Sequence, residues 1–399
     1  PGVLPLSWVN MCEFMCNNLS ACLGDEYKGF DESTSSRSPA FDLALTTRVL
    51  EVTGMEQEKA PLGKGKWYGV DCNPATGTMV AEFDCPADAW FFKGAPRDDV
   101  MPYSILMEIA LQTCGILTSW NKAPLTLAAT QGYNLLFRNL DATAALHAEV
   151  DLRGKTIVNV SKCTGYSMLG QMGVQKFNTV LSVDGTPFYE VDSSFGWFLP
   201  AVFEKQIGLD QGVKKDCWHV TAAHPLESFA IPAEEARLFA APTLRGAHRL
   251  RRRSDQARFV DGVGLSKTGG KFGKGYGHGF KAVDARDWFF SCHFWCDSVM
   301  PGSLGVEAMH ETLELWCVHA GLGGGKRNPT FSHHLGKTAW KYRGQLTPKA
   351  DRCDVEVHVQ SVERDTGCVT VVADGYLYVD ALRVYEVKGL RLRLHSEGK

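Results

Sequence analysis

Two long apolar runs, each opened by a proline, interrupt a chain that otherwise alternates between apolar and polar positions. After Pro102, Ile105, Leu106, Ile109, Ala110 and Thr113 recur at helical spacing, and proline suits a first helical position, so a helix is predicted from there to about Trp120. Before it, FDLALTTRVLEV from residue 41 is strand-like, and residues 79–92 read as a strand running into a turn. After it come five β-rich runs: NLLFRNL, AALHAEVDL, KTIVNVSKC, KFNTVLSV and PFYEVDSSFGWF. Asp184-Gly185 marks a hairpin between the last two. The same order then returns. RFVDGVGL, a glycine-rich loop and HGFKAVDARDWFF lead into a helix at Pro301, followed by WKYRGQL, CDVEVHVQSVE, CVTVVADGYLYV and LRVYEVKGLRLRL, with Asp374-Gly375 read as a second hairpin-type turn. One helix followed by a run of antiparallel strands, twice over, predicts an α+β fold with long helices packed on curved sheets.

The repetition extends to individual residues. Residues 88–112 read DAWFFKGAPRDDVMPYSILMEIALQ, and residues 287–309 read DWFFSCHFWCDSVMPGSLGVEAM. Aligned on Val-Met-Pro, Met101 matches Met300, 199 residues on, and Glu108 matches Glu307. Seven residues before Met300 stands His293, whereas the first copy has Gly94 or Ala95 there. The carboxylate is doubled and the imidazole is single, the pattern of a two-half enzyme with one working site. The expected organisation is an arm over 1–40, a first module over 41–200, a linker over 201–240 and a second module over 241–399. The opening PGVLPLSW has neither Met nor a signal-peptide core, and reads as a piece cut from a longer polypeptide.

Composition narrows the chemistry. At 399 residues, 44% hydrophobic and 22% charged, the chain suits a globular protein, and a net charge of −3 gives no overall case for nucleic acid. No apolar stretch of 18 or more residues predicts a membrane span. Thirteen scattered cysteines fit a reducing, cytoplasmic compartment. Cys12/Cys16 and Cys292/Cys296 are spaced by four, with His293 inside the second pair, but no further ligand pair follows. Free buried thiols are expected, and no metal. The glycine-rich run at 269–279 lacks a phosphate-loop Lys-Ser/Thr and is read as a hairpin loop. Arg245, Arg249 and Arg251 to Arg253 form a basic cluster that is either a solvated edge or a surface for an acidic partner. His310, His333 and His334 are assigned surface or packing roles.

The segment CHFWCDSVMPGSLGVEAM resembles the active-site segment of the bacterial 3-hydroxydecanoyl-acyl-carrier-protein dehydratase family, which has a hot-dog fold. That family pairs His-Phe with Asp-Pro-Val-Met-Pro-Gly, Leu-Gly and a carboxylate 14 residues after the histidine, the spacing of His293 and Glu307. This chain differs by Cys296 at a usual Gly, Ser298 at a usual Pro and Glu307 where Asp is common. With its tandem plan, FRNLDATAALHAEVDLRGKT and SSFGWF, the chain looks most like the dehydratase region of polyunsaturated fatty acid synthases. The resemblance implies a double hot dog, a pseudo-dimer within one chain in which each site borrows its acid from the opposite half. His293 would then be the base, working with Glu108 and with Gln112 one turn on as orienter. Glu307, with Glu311 in place of a glutamine, would face the degenerate site, though Glu307 remains a second candidate carboxylate. Backbone N–H groups of Gly302 or Ser303 at the helix start are candidates to bind a thioester carbonyl. The implied reaction dehydrates 3-hydroxyacyl chains on an acyl carrier protein beside other domains of a larger synthase, possible isomerisation included, with no cofactor. A hot-dog thioesterase, or a scaffold with both sites decayed, are the alternatives.

Overall fold

The computed structural model describes residues 5–33, 38–54, 72–94, 100–169, 172–230, 255–294, 296–322, 330–333 and 335–395. The strands among them are β1 (Arg48–Thr53), β2 (Thr78–Asp84), β3 (Leu136–Leu146), β4 (Thr156–Leu169), β5 (Met172–Val183), β6 (Thr186–Phe198) and β7 (Glu227–Ala230). The second half adds β8 (Gly262–Ser266), β9 (Tyr276–Ala282), β10 (Thr330–His333), β11 (Gly336–Tyr342), β12 (Arg352–Asp365), β13 (Cys368–Val379) and β14 (Leu382–His395). All pairings between these strands are antiparallel. The α+β plan is therefore the one observed, and the order β1-β2-β4-β5-β6-β3 is matched by β8-β9-β12-β13-β14-β11 read from the opposite edge. Where two sheets were expected, they are continuous: β3 and β11 pair from Leu146↔Gly336 to Asp141↔Lys341. A hydrogen-bonded junction leaves neither inner edge exposed.

Two long helices span Tyr103–Trp120 and Gly302–His319, each with proline at the N-cap. Nearly every residue of both is buried, so the helices are not amphipathic surface elements. They touch one another, and each packs on the strands of its own half. Leu304 and Leu313 are fully buried, each contributing about 1.5–3 kcal/mol of transfer free energy.

Two local readings are corrected by the structure. Asp374-Gly375 is no turn, since both residues lie inside β13, where Gly375 pairs with Val357 and with Val387 beside a bulge. The turns flank it, at Thr366-Gly367 and at Asp380-Ala381, where Gly367, Asp380 and Ala381 have positive φ. NLLFRNL and the start of AALHAEVDL form the single strand β3. The segment expected to be linker is also structured over its first part: it holds short helices at Ala201–Glu204 and Trp218–Thr221, and β7. Leu209 N–H donates to Arg383 O at 2.8 Å and Lys215 N–H to Ala381 O at 2.9 Å, which straps this segment over the far side of β13 and β14. β13 is consequently buried almost throughout. The glycine-rich run begins as the loop between β8 and β9.

Candidate active site

A cavity of about 360 Å³ lies between the halves, within the usual range for small-ligand sites. The first long helix offers it Glu108, Leu111, Gln112 and Gly115, the i, i+3, i+4, i+7 face. The second helix offers its N-terminus, Gly302 and Ser303, and the segment before it offers His293, Phe294, Val299 and Met300. Of the residues singled out from sequence, His293, Glu108, Gln112, Gly302 and Ser303 are thus brought to one cavity. Glu307 is not among its lining residues.

His293 follows a short helix, Phe289–Cys292, and its loop is closed by Val299 N–H donating to His293 O at 2.8 Å. The imidazole Nδ1 lies 2.9 Å from Val299 O, which makes Nδ1 the protonated nitrogen and leaves Nε2 the basic one. Phe294 stacks on the ring at 3.8 Å between centroids. Burial, helped by the nearby positive charge of Arg138, pushes the His293 pKa down to about 3, so the ring is neutral near pH 7. Arg138 itself reaches from β3 to Asp297 at 2.8 Å and Gln345 at 2.9 Å, tying the loop of the second half to the first.

Glu108 is buried, and burial raises its pKa above the usual carboxylate range against the opposing effect of two hydrogen bonds. Ser303 Oγ–H donates to its Oε1 at 2.6 Å, and Gln112 Nε2–H donates to its Oε2 at 3.1 Å. Gln112 also donates to Leu43 O at 2.9 Å and accepts from Leu45 N–H at 3.1 Å, so its amide is fixed by the backbone. In the other half, Glu311 accepts from Phe259 N–H at 2.7 Å, the counterpart of the Leu45 bond. Glu307 Oε2 accepts from Ser104 N–H at 3.4 Å. Each glutamate therefore lies at the N-terminus of the opposite half's helix.

The equivalent face of the second helix is Glu307, His310, Glu311 and Glu314, all buried. Tyr103 stands where the other half has Gly302, and its ring packs edge-on against Tyr189, His310 and His333. His310 and His333 are packing residues here, with His333 Nε2 2.9 Å from Met101 O. His334, the Arg251 to Arg253 cluster, Arg245 and Arg249 lie outside the described residues. The contact of Trp90 with Trp288 at 5.0 Å aligns the two pre-helix segments so that His293 corresponds to Ala95, which also lies outside them.

Several lining residues were not anticipated. Gly115 has a recognisable signal, a glycine inside a helical run. Arg138 and Tyr342 have none before the halves are placed together. All thirteen cysteines are free thiols, and Cys16 and Cys296 are exposed instead of buried. Among the described residues, Cys217, His278 and Asp354 are close enough to hold a metal ion. Asp354 is already bonded to His278 at 2.8 Å and to Arg352 at 2.8–2.9 Å, so a cation there would have to displace an ion pair.

A partly buried imidazole whose Nε2 is the basic nitrogen, in one cavity with a carboxyl whose pKa burial raises, is an acid–base pair suited to moving protons between adjacent carbons and their substituents. Residues 254–388 match the FabA-like domain family, and this part of the chain is a FabA-like hot-dog domain. Over 403 aligned residues the chain is 54% identical to a polyunsaturated fatty acid synthase polypeptide of Thraustochytrium sp. (strain ATCC 26185 / S-3), covering 99% of this chain and 26% of that protein. The chain thus spans about a quarter of that relative's length. Among solved structures, it is similar to the dehydratase domain from the CurJ module of curacin polyketide synthase, with TM-score 0.44 and 12% identity over 87% of this chain and 96% of that one. It is also similar to the 12:0-ACP thioesterase from Umbellularia californica, with TM-score 0.39 and 11% identity over 80% of this chain and 93% of that one. The resemblance read from the motif of the second repeat is borne out. No helix among the described residues is long and apolar enough to cross a membrane.

Proposed function

We propose that the chain is a dehydratase that converts 3-hydroxyacyl thioesters, carried by an acyl carrier protein, to enoyl thioesters within a larger lipid-making synthase. The observation that carries this reading is the single cavity holding both His293, with Nε2 available, and the raised-pKa Glu108. His293 takes a proton from C2. The C–H electron pair forms the C2–C3 double bond as the C3–O bond breaks, and Glu108 gives its proton to the departing hydroxyl, which leaves as water. Gln112 and Ser303 hold the Glu108 carboxyl in place, and N–H groups at the start of the second helix donate to the thioester carbonyl. Glu307 serves packing at the opposite end. No cofactor enters this elimination. The two modules act as a covalent pseudo-dimer, and the compartment is the reducing cytoplasm. Lys205 and Arg343 in the cavity wall suit the phosphate of a carrier's phosphopantetheine arm.

The test is to incubate the chain with a 3-hydroxyacyl thioester and follow the conjugated enoyl product. His293→Ala should abolish dehydration and the reverse hydration while the fold is retained. Release of free thiol and acid in place of enoyl product would assign a thioesterase instead, and near wild-type turnover by His293→Ala would overturn the mechanism.

A further inference from the structure

We propose that the Tyr342 hydroxyl is a second donor to the thioester oxygen of the substrate, beside the backbone N–H groups that open the second long helix. The proposal rests on the dehydratase reading and adds a side chain to it. Tyr342 ends β11, and its ring lies directly over Gly302. A Cβ at Gly302 would meet Tyr342 Cε2 at 2.5 Å, Cζ at 2.6 Å and the hydroxyl oxygen at 3.0 Å. The hydroxyl is therefore held at the point where an acyl group bound by the helix N-terminus must pass. Glycine is required beneath it, since any side chain would displace the ring.

The residue is only 7% exposed, lines the cavity, and among the described residues its hydroxyl has no hydrogen-bond partner. A buried hydroxyl in that position loses its bonds to water and gains none from the protein, so an acceptor supplied by a ligand would be favoured. Tyr385 packs on the ring at 4.4 Å between centroids, and Arg343 donates to the Tyr342 carbonyl at 2.7 Å, so both ends of the residue are held. Burial, with Tyr385 and Glu108 close by, keeps the phenol pKa well above 10, so the group is a donor at any working pH.

The repeat supplies a control within the molecule. In β3, Leu146 pairs with Tyr189, which pairs with Leu181, just as Tyr342 pairs with Tyr385, which pairs with Leu377. Leu146 is thus the counterpart of Tyr342 and has no hydroxyl. The hydroxyl occurs where the helix of the same half begins with Gly302. Its counterpart lacks it where that helix begins with Tyr103. During the reaction, removal of the C2 proton by His293 moves negative charge onto the thioester oxygen. Tyr342 O–H and the helix N–H bond that oxygen more strongly as the charge develops. Tyr342 keeps its proton, while the proton for the departing hydroxyl comes from Glu108.

Tyr342→Phe removes one atom that bonds nothing among the described residues, so its melting temperature should equal or exceed that of the wild type. Turnover should fall about 10²-fold with KM little changed, the scale for one oxyanion donor, and exchange of the C2 proton with deuterated solvent should slow in parallel. A second readout needs no turnover: a bound saturated acyl thioester, labelled with carbon-13 at C1, should show its carbonyl stretch at lower frequency in the wild type than in Tyr342→Phe. Identical carbonyl frequencies and wild-type exchange in the variant, with His293→Ala still inactive, would overturn the role of Tyr342 alone. Full activity in His293→Ala would instead remove the dehydratase reading on which it rests.

Discussion

Replacing Glu108 by Gln asks whether the acid comes from the opposite half. The variant keeps size and loses the proton to be donated. Ser303 Oγ–H, 2.6 Å from Oε1, can still donate to an amide oxygen. Gln112 Nε2–H, 3.1 Å from Oε2, would then face an N–H, and one buried hydrogen bond is lost, at a cost of about 1 kcal/mol. Gln112 keeps its bonds to Leu43 and Leu45, so the helix and the site remain in place. The loss of a general acid is about 10²–10⁴ in rate, or ~2.7–5.4 kcal/mol of transition-state stabilisation at 1.36 kcal/mol per decade. Glu307→Gln is the matched control. Its bond from Ser104 N–H is long, at 3.4 Å, and an amide oxygen can accept it, so turnover should change by less than about 10-fold. Initial rates of enoyl formation under saturating substrate, with melting temperatures for both variants, give the comparison. If Glu307→Gln were the inactive variant and Glu108→Gln the active one, the cross-half assignment would be wrong even with dehydration intact.

The pH dependence follows from opposite shifts. With the His293 pKa near 3 the base is ready through neutral pH, whereas activity should decline as pH rises through the raised pKa of Glu108; a kcat/KM profile whose alkaline limb is the same in a well-folded Glu108→Asp variant would exclude Glu108 as its source. For stability, a raised carboxyl pKa favours the fold below the unfolded value of about 4.3 and this contribution is lost as pH rises through the folded pKa, so Glu108→Gln should gain melting temperature relative to wild type at pH 8 compared with pH 4; a constant difference would contradict it. Gly115→Leu should keep short acyl substrates and lose long ones by about 10-fold or more, because a Cβ there meets only Phe137 Cε1, at 4.0 Å, and the side chain projects into the cavity; unchanged chain-length preference would show that the acyl chain runs elsewhere.

How much is legible in the sequence depends on where the determining contact lies. The helix after Pro102 is readable because its cause is local: proline at the start and apolar residues at helical spacing. Asp374-Gly375 misleads for the opposite reason. Asp-Gly favours a tight turn, but the Asp374 carboxylate takes Gln360 Nε2 at 2.7 Å and Lys388 Nζ at 2.8 Å from neighbouring strands. Gly375 is needed because Met309 of the second helix would lie 2.5 Å from any Cβ. Both causes are tertiary. His293, Glu108 and Gln112 are nameable from spacing and repeat comparison. Tyr342 and Arg138 are not: Tyr342 gains its significance only when β11 lies over the start of its own half's helix, and Arg138 only when β3 meets the loop of the other half.

The same contacts explain why the half around the second helix's polar face would be kept although its own end has Ala95 in place of a histidine. Glu108 depends on Ser303 for a hydrogen bond, and the loop bearing His293 depends on Arg138, so each half completes the other. The shared pairing of β3 with β11 fixes their relative position. At the opposite end the corresponding positions have diverged together: Tyr103 for Gly302, Glu311 for Gln112 and Glu314 for Gly115. Tyr103 fills the space that Gly302 leaves open. Glu311 has no N–H to offer a neighbouring carboxylate, and Glu314 puts a carboxyl where Gly115 leaves room for an acyl chain. Restoring a histidine at that end would therefore not restore a second site. Tyr103 would still occupy the place of Gly302, a carboxyl would still stand where Gln112 holds the acid, and Glu314 would still interrupt the apolar wall.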